Sequence, residues 1–384
     1  MGSRSKILNL PDDIVNSILL ELPVKSLLRF KSSCKSWYCS IDDPEFMKSH
    51  LHKSSTDIHR QKFLLFNVVE GKIPHDYSMK VLSTEASISA DSKVVTLDQP
   101  NIPGFSTSQY YFLQVHSCDG LVFIYHPGNM MLWNPAIRKY KLIPVPATLQ
   151  RFWWNIARIG FVYDFVAEDY KVLCVYEVSY TAHLRHVVEI YSVKNQSWRT
   201  ISNFPIPPDF GLIYHYPISL NSVVHTMATS DDGGTIWERE RLVISFYPAN
   251  ETSIVTPVPS NIRNILSKFC AFANRVCIFG IDLCLEMWMW SQEKDWKTGL
   301  LTWNHITNIT LGSVTPYYFG YAGHLVCVKE NGNIVWRNDD GAFIEYDVRK
   351  NKFTEEFKPK EIPLYIGSSH LYVESLVSIK ILWD

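Results

Sequence analysis

Apolar positions change their spacing once along this chain, close to residue 60. From Leu10 to about residue 52 they recur with the three-to-four-residue period of helices. In "LPDDIVNSILLELPVKSLLRF" (10–30), Ile14, Val15, Ile18, Leu19 and Leu22 recur at helical spacing, with Asp13, Asn16, Ser17 and Glu21 on the other side. Asp12 or Asp13 suits the helix N-terminus, where a carboxylate accepts orphan N–H groups. Pro23 ends this helix because it lacks an N–H and crowds the preceding turn. A second short helix is predicted over 24–30, a third carries Trp37 and Ile41, and a fourth starts near Pro44 with Phe46 and Leu51. The expected organisation is a compact all-α module at 5–52, a linker at 53–62 and a β-domain at 63–384, an α+β multidomain chain.

From Phe63 onward the apolar runs are short, β-branched and aromatic, as in "KFLLFNVV", "GLVFIYH", "YKVLCVYEV" and "RLVISFY", with Gly, Pro, Asn or Asp at their ends. A repeat runs through them: an aromatic residue opens a turn and a second large side chain follows seven positions later. The pairs are Trp133 and Tyr140, Tyr191 and Trp198, Tyr247 and Ile254, Trp296 and Trp303, Tyr346 and Phe353, with a weaker start near Tyr77. Their starts are roughly fifty residues apart, the size of a kelch-type blade. The spacing predicts an all-β propeller of six blades, with seven as the alternative; a large β-sandwich with evenly spaced hairpins is the rival architecture.

Size makes the apolar helices informative. A module this small hides only a modest part of its surface, and each fully buried Leu or Ile is worth roughly 1.5–3 kcal/mol. Either the module packs on the β-domain or a partner covers it. Of the 384 residues 46% are hydrophobic, enough for a core, and 37 Lys plus Arg balance 38 Asp plus Glu, so no long-range attraction to nucleic acid or an anionic membrane is expected. Asp12 and Asp13 interrupt what would otherwise read as a signal peptide, and the window 276–290 is too short and too charged to span a bilayer. Among the eight cysteines, Cys270, Cys277, Cys284 and Cys327 lie in apolar runs, and no Cys-x-x-Cys pair occurs. The expectation is a soluble intracellular chain with free thiols, in the cytoplasm or nucleus.

Catalytic patterns do not emerge. The sequence has no Gly-rich phosphate loop, no His-Glu-x-x-His helix and no Gly-x-Ser-x-Gly elbow. No cofactor or metal is expected, although a metal-dependent propeller oxidase is the enzyme rival. Binding remains, and propellers bind through their loops. The candidates are "RFWWN" (151–155) with Phe152, Trp153 and Trp154; "FPIPPDFGLIYHY" (204–216) with Phe210 and Tyr214; and the segment holding Trp288 and Trp290. Aromatics in loops bury much area at small entropy cost, though any one of these could instead plug a blade.

"LPDDIVNSILLELPVKSLLRFKSSCKSWYCSIDDPEFMKSHL" closely resembles the F-box: two Leu-Pro pairs, Ser-Leu-Leu-Arg-Phe, Cys-Lys-Ser-Trp and a final Phe in register. The resemblance implies docking on the Skp-type adaptor of cullin-based ubiquitin ligases through Leu10, Pro11, Ile14, Ile18, Leu19, Leu22, Pro23, Leu27, Leu28 and Phe30, with Trp37 anchoring the module's own core. Ser33 departs from the family's Val-like residue, which would weaken packing modestly if the site is buried. "CDGLV" (118–122), "WNPAIRKYKLIP" (133–144), "GFVYDFVAEDYKVL" (160–173), "VEIYSVKNQSWRTI" (188–201), "SLNSVVH" (219–225) and "YVESLVS" (372–378) resemble the plant F-box-associated interaction domain, which includes S-locus F-box proteins. The likeness implies a non-catalytic receptor that holds a protein substrate for ubiquitination, with pistil ribonucleases as a narrower target class. A protein-interaction scaffold outside any ligase is the alternative.

Overall fold

The computed structural model describes residues 10–70, 77–85, 92–98, 100, 114–126, 128–151, 158–179, 184–207, 209–212, 217–230, 239–259, 266–272, 275–281, 286–294, 301–310, 324–328, 333–337, 342–347, 349–350, 352–357 and 366–378. Four helices come first: α1 (Asp12–Leu20), α2 (Val24–Phe30), α3 (Lys35–Asp42) and α4 (Pro44–Thr56). Pro11, not an aspartate, is the N-cap of α1 and makes no side-chain capping bond; Asp12 and Asp13 lie in the first turn, where their negative charge suits the positive end of the helix dipole. Pro23 is likewise the N-cap of α2, so the two prolines start helices with the φ of about −60° that the ring imposes. Asp43 caps α4 by accepting from the N–H groups of Glu45 and Phe46 at 3.0 and 3.1 Å, with Pro44 at the first helical position. The stretch expected to be a linker holds the end of α4, a 3₁₀ turn at Ile58–Arg60 and the start of the first strand.

The described strands form six sheets. The first takes β1 (Gln61–Glu70), β2 (Tyr77–Glu85) and β3 (Val95–Thr96); the second is β4 (Gln114–Cys118), β5 (Leu121–His126), β6 (Asn129–Asn134) and β7 (Lys139–Ile143). Beyond a short helix, α5 (Ala147–Arg151), the third holds β8 (Arg158–Asp164), β9 (Asp169–Ser179), β10 (Leu184–Ser192) and β11 (Ser197–Thr200). In the fourth, β12 (Phe210–Leu212) and β13 (Ile218–Leu220) both pair with β14 (Val223–Ser230), followed by β15 (Arg241–Tyr247) and β16 (Thr252–Pro257). The fifth is β17 (Leu266–Phe272), β18 (Arg275–Ile281), β19 (Glu286–Lys294) and β20 (Leu301–Thr310), and the sixth β21 (His324–Val328), β22 (Ile334–Arg337), β23 (Phe343–Asp347) and β24 (Lys352–Phe357). Finally β25 (Ile366–Val373) returns to pair antiparallel with β1 as the innermost strand of the first sheet.

The innermost strands touch in the order β25, β4, β8, β13, β17, β21 and back to β25, which closes a ring of six blades. That matches the six-blade expectation and removes the sandwich. Core lies between neighbouring blades: Leu64, Phe66, Val122 and Trp133 between the first two, Phe123, Phe161, Tyr170 and Val172 between the second and third. Strands covered on both faces lose the alternation of a half-buried sheet, which is why β5 and β14 are buried at every position.

The aromatic repeat marks the hairpin between the two outer strands of a blade. Trp133 and Tyr140, Tyr191 and Trp198, and Tyr346 and Phe353 are cross-strand partners, the last two pairs in ring contact at 5.1 Å. Two expected pairs fall out of register. Tyr247 lies opposite Thr252 while Ile254 faces Ser245, and Trp303 faces Gln292; Trp296 is outside the described residues. In the fifth blade six residues separate the paired Lys294 and Leu301, against four between Asp347 and Lys352.

Candidate functional site

The helical module has apolar residues on two sides of α1, and only one of those sides is used inside the molecule. Leu19 (2% exposed), Val24, Leu27 (0%), Ile41, Phe46 and Met47 make its core, with Val15, Leu20, Leu22, Leu28, Phe30 and Trp37 packed around it. On the opposite side Leu10 is 55% exposed, Ile14 44% and Ile18 49%, and Pro11 and Pro23 are exposed with them. Ile14 and Ile18 are one turn apart, so with Pro11 they form a stripe along α1. Covering three such half-exposed side chains would be worth roughly 1 kcal/mol each.

The ten residues expected to face an adaptor therefore divide. Leu10, Pro11, Ile14, Ile18 and Pro23 lie on the surface, Leu22, Leu28 and Phe30 are half-buried at its border, and Leu19 and Leu27 belong to the core. The apolar residues of α1 form one broad stripe, and periodicity alone does not divide it into a covered and an uncovered part. Trp37 is half-buried and meets Phe30 edge-on, ring centroids 5.1 Å apart, in keeping with an internal anchor. Ser33 is exposed, and its N–H donates to the carbonyl of Phe30 at 2.9 Å in the turn that ends α2. Sequence reasoning missed Tyr38, 52% exposed on α3, whose ring carries the Lys31 ammonium 5.0 Å from its centroid while Lys31 also pairs with Asp42.

Several polar contacts hold the α1–α2 bend beneath this stripe. Buried His50 on α4 donates from Nε2 to the carbonyl of Leu22 (2.9 Å), and burial lowers its pKa. Arg60 donates to the carbonyls of Leu20 and Glu21, each at 3.1 Å, and to the Glu21 carboxylate at 2.8 Å. A guanidinium thus satisfies the last carbonyls of α1, where a cation suits the dipole. Lys53 binds the same Glu21 carboxylate, and that hydrogen bond is the main reason its pKa is lowered.

Strand direction gives the ring two ends. The turns between the two outer strands of each blade, such as 135–138 and 248–251, lie on one end, and the helices sit there: Ala136 and Ile137 pack on their core and Lys48 of α4 reaches Glu168 at 3.4 Å. Connections from one blade to the next leave from the other end, where α5 lies and β12 begins. Phe210 opens β12 there, half-buried. Phe152, Trp153, Trp154 and Tyr214 lie outside the described residues. Trp288 and Trp290 occupy β19, paired with Asn308 and His305, so their backbone is strand rather than loop. Phe204, from the same candidate stretch as Phe210, lies against buried Phe246 at 5.6 Å and belongs to the core.

Among the described residues no helix is long and apolar enough to cross a membrane, and no group of three or more His, Cys, Asp or Glu side chains could hold a metal ion. Buried Cys174 and Cys277 are packed away from solvent; burial pushes the Cys277 thiol up to about 12.

Comparison with known proteins matches an F-box domain over residues 7–49 and an F-box associated beta propeller domain over residues 73–379. Among relatives in Arabidopsis thaliana, the F-box/LRR-repeat/kelch-repeat protein At1g09650 is 23% identical over 327 residues, covering 81% of this chain and 80% of the relative. The F-box/kelch-repeat protein At3g23880 is 27% identical over 201 residues, covering 51% of this chain and 52% of the relative. The chain spans about half the length of several of the curated relatives it matches.

Proposed function

This chain belongs to the F-box proteins that carry an F-box associated beta propeller domain, and from that premise we propose that it is the substrate receptor of a Skp–cullin–F-box ubiquitin ligase. The helices dock on a Skp-type adaptor, and through it on a cullin. The far end of the propeller holds a protein target so that a partnered conjugating enzyme modifies its lysines for proteasomal degradation. Catalysis is by proximity: the receptor raises the local concentration of lysine near the enzyme and supplies no acid, base or nucleophile. Such a receptor works in the cytoplasm or nucleus, and a pistil ribonuclease is the target class that the S-locus likeness adds.

One observation carries this reading. The stripe of Leu10, Pro11, Ile14 and Ile18 stays in water on a module whose core is already filled, at the end of the ring away from the blade-to-blade connections. Affinity purification from cells supplies the test, with the wild-type chain beside an Ile14→Asp, Ile18→Asp variant. The wild type recovers adaptor and cullin and the variant neither. Equal recovery from both would sink the proposal, and adaptor without cullin would favour a scaffold outside the ligase.

A further inference from the structure

Three of the sequence stretches that carry the family likeness meet at the end of the ring on which the helices sit, at the seam between the two. The first is "CDGLV", whose Gly120 has φ +77°. A Cβ there would lie 2.3 Å from Ser375 Oγ and 2.6 Å from the carbonyl of Val373, so only glycine lets the segment after β25 pass this close. The second is "WNPAIRK". Wholly buried Asn134 donates from Nδ2 to the carbonyls of Ser375 (3.1 Å) and Val377 (2.9 Å), while its Oδ1 accepts the Ala136 N–H at 3.0 Å. The third is "YVESLVS" itself. Held on both flanks by Asn134, Leu376 (4% exposed) inserts among Leu19, Val24, Leu27, Ile41, Phe46 and Met47, and Ala136 and Ile137 close over the same cluster. Lys62 pairs with Glu374 at the start of the strap.

The helical core is thus completed by a side chain from the far end of the sequence, carried by the segment that follows the ring-closing strand. α1 presents Ile14 and Ile18 outward and rests on this cluster through Leu19. We infer that adaptor docking is conditional on closure of the propeller, with Gly120, Asn134 and Ser375 fastening the strap and Leu376 acting as the positioning residue for α1. This rests on the receptor reading above. A chain whose last strand is missing or unpaired lacks Leu376 in the module, so the adaptor selects receptors whose target-binding domain has finished folding.

The test uses the full chain and purified Skp-type adaptor, with Leu376→Ser, Leu376→Met and Asn134→Ala variants. Binding is measured by calorimetric titration and helix order by amide hydrogen exchange. Leu376→Ser and Asn134→Ala are expected to weaken adaptor binding about tenfold or more and to speed exchange in α1 and α4, while β9 and β10 keep their protection. Leu376→Met restores both readouts, because it refills the volume. Wild-type affinity and exchange in Leu376→Ser would overturn the inference, as would equal loss of protection in β9 and β10, which would trace the effect to the ring. Should the wild type fail to bind, the docking claim falls together with the receptor reading, and the exchange response of Leu376→Ser then reports the seam on its own.

Discussion

Ile14 and Leu27 are both apolar residues of adjoining helices, but substituting them should do different things. Ile14 and Ile18 have water on one side, so an Ile14→Asp, Ile18→Asp variant is expected to lose no more than about 1 kcal/mol of folding stability per substitution. Leu27 is fully enclosed, and Leu27→Ala should cost about 2–5 kcal/mol and melt the helices before the ring. Thermal melts followed by far-ultraviolet circular dichroism separate the two; equal losses would mean that the stripe is core. A second residue-level expectation concerns acid. Burial lowers the pKa of His116 to about 3, with the nearby His370 ring adding to the effect, and that of His370 and His225 to about 4, against 6.5 in the unfolded chain. Between pH 6.5 and about 4 the unfolded state takes up protons that the native state refuses, so stability is intact above pH 6.5 and falls as pH drops through this window. Each histidine adds a slope of up to about 1.4 kcal/mol per pH unit, and a His116→Asn variant should show a shallower slope in denaturant titrations from pH 6.5 to 4. An unchanged slope would place the proton uptake elsewhere.

At the level of elements, α1 ends against Arg60 and α4 rather than in solvent. Removing the guanidinium leaves the carbonyls of Leu20 and Glu21 without it, so Arg60→Ala should destabilise the helices by about 1 kcal/mol, with Arg60→Lys recovering only part because an ammonium cannot fork. Hydrogen exchange in α1 and α2 checks this, and unchanged exchange would contradict it. Helix positions were legible from sequence because proline and aspartate act locally: Pro23 sets the start of α2, and Asp43 with Pro44 sets the start of α4. Blade hairpins were legible where the outer turn keeps one length, as at Trp133 and Tyr140. The register slipped at Trp303 because six residues, not four, separate the paired Lys294 and Leu301; at Tyr247 the turn keeps its four residues, and the seven-residue pair starts one position earlier, with Phe246 opposite Ser253. Leu19 and Leu27 could not be told from Ile14 and Ile18 by pattern, since burial on one face and exposure on the other follow from what packs where.

For the whole molecule, closure by β25 joins the first and last strands of the ring, which leaves the helices on one end and the blade-to-blade connections on the other. That separation gives the proposed adaptor contact and the proposed target contact different ends of the molecule. The contribution of Leu376 to the helices was invisible in the sequence, because nothing local marks a contact that depends on six blades closing. The direct measurement is a calorimetric titration of the purified full chain with a purified Skp-type adaptor, run beside the Ile14→Asp, Ile18→Asp variant. Saturable one-to-one binding that weakens about a hundredfold in the variant is expected, since two desolvated carboxylates would replace the centre of the apolar stripe. Indistinguishable affinities for the two proteins, both folded, would contradict the account.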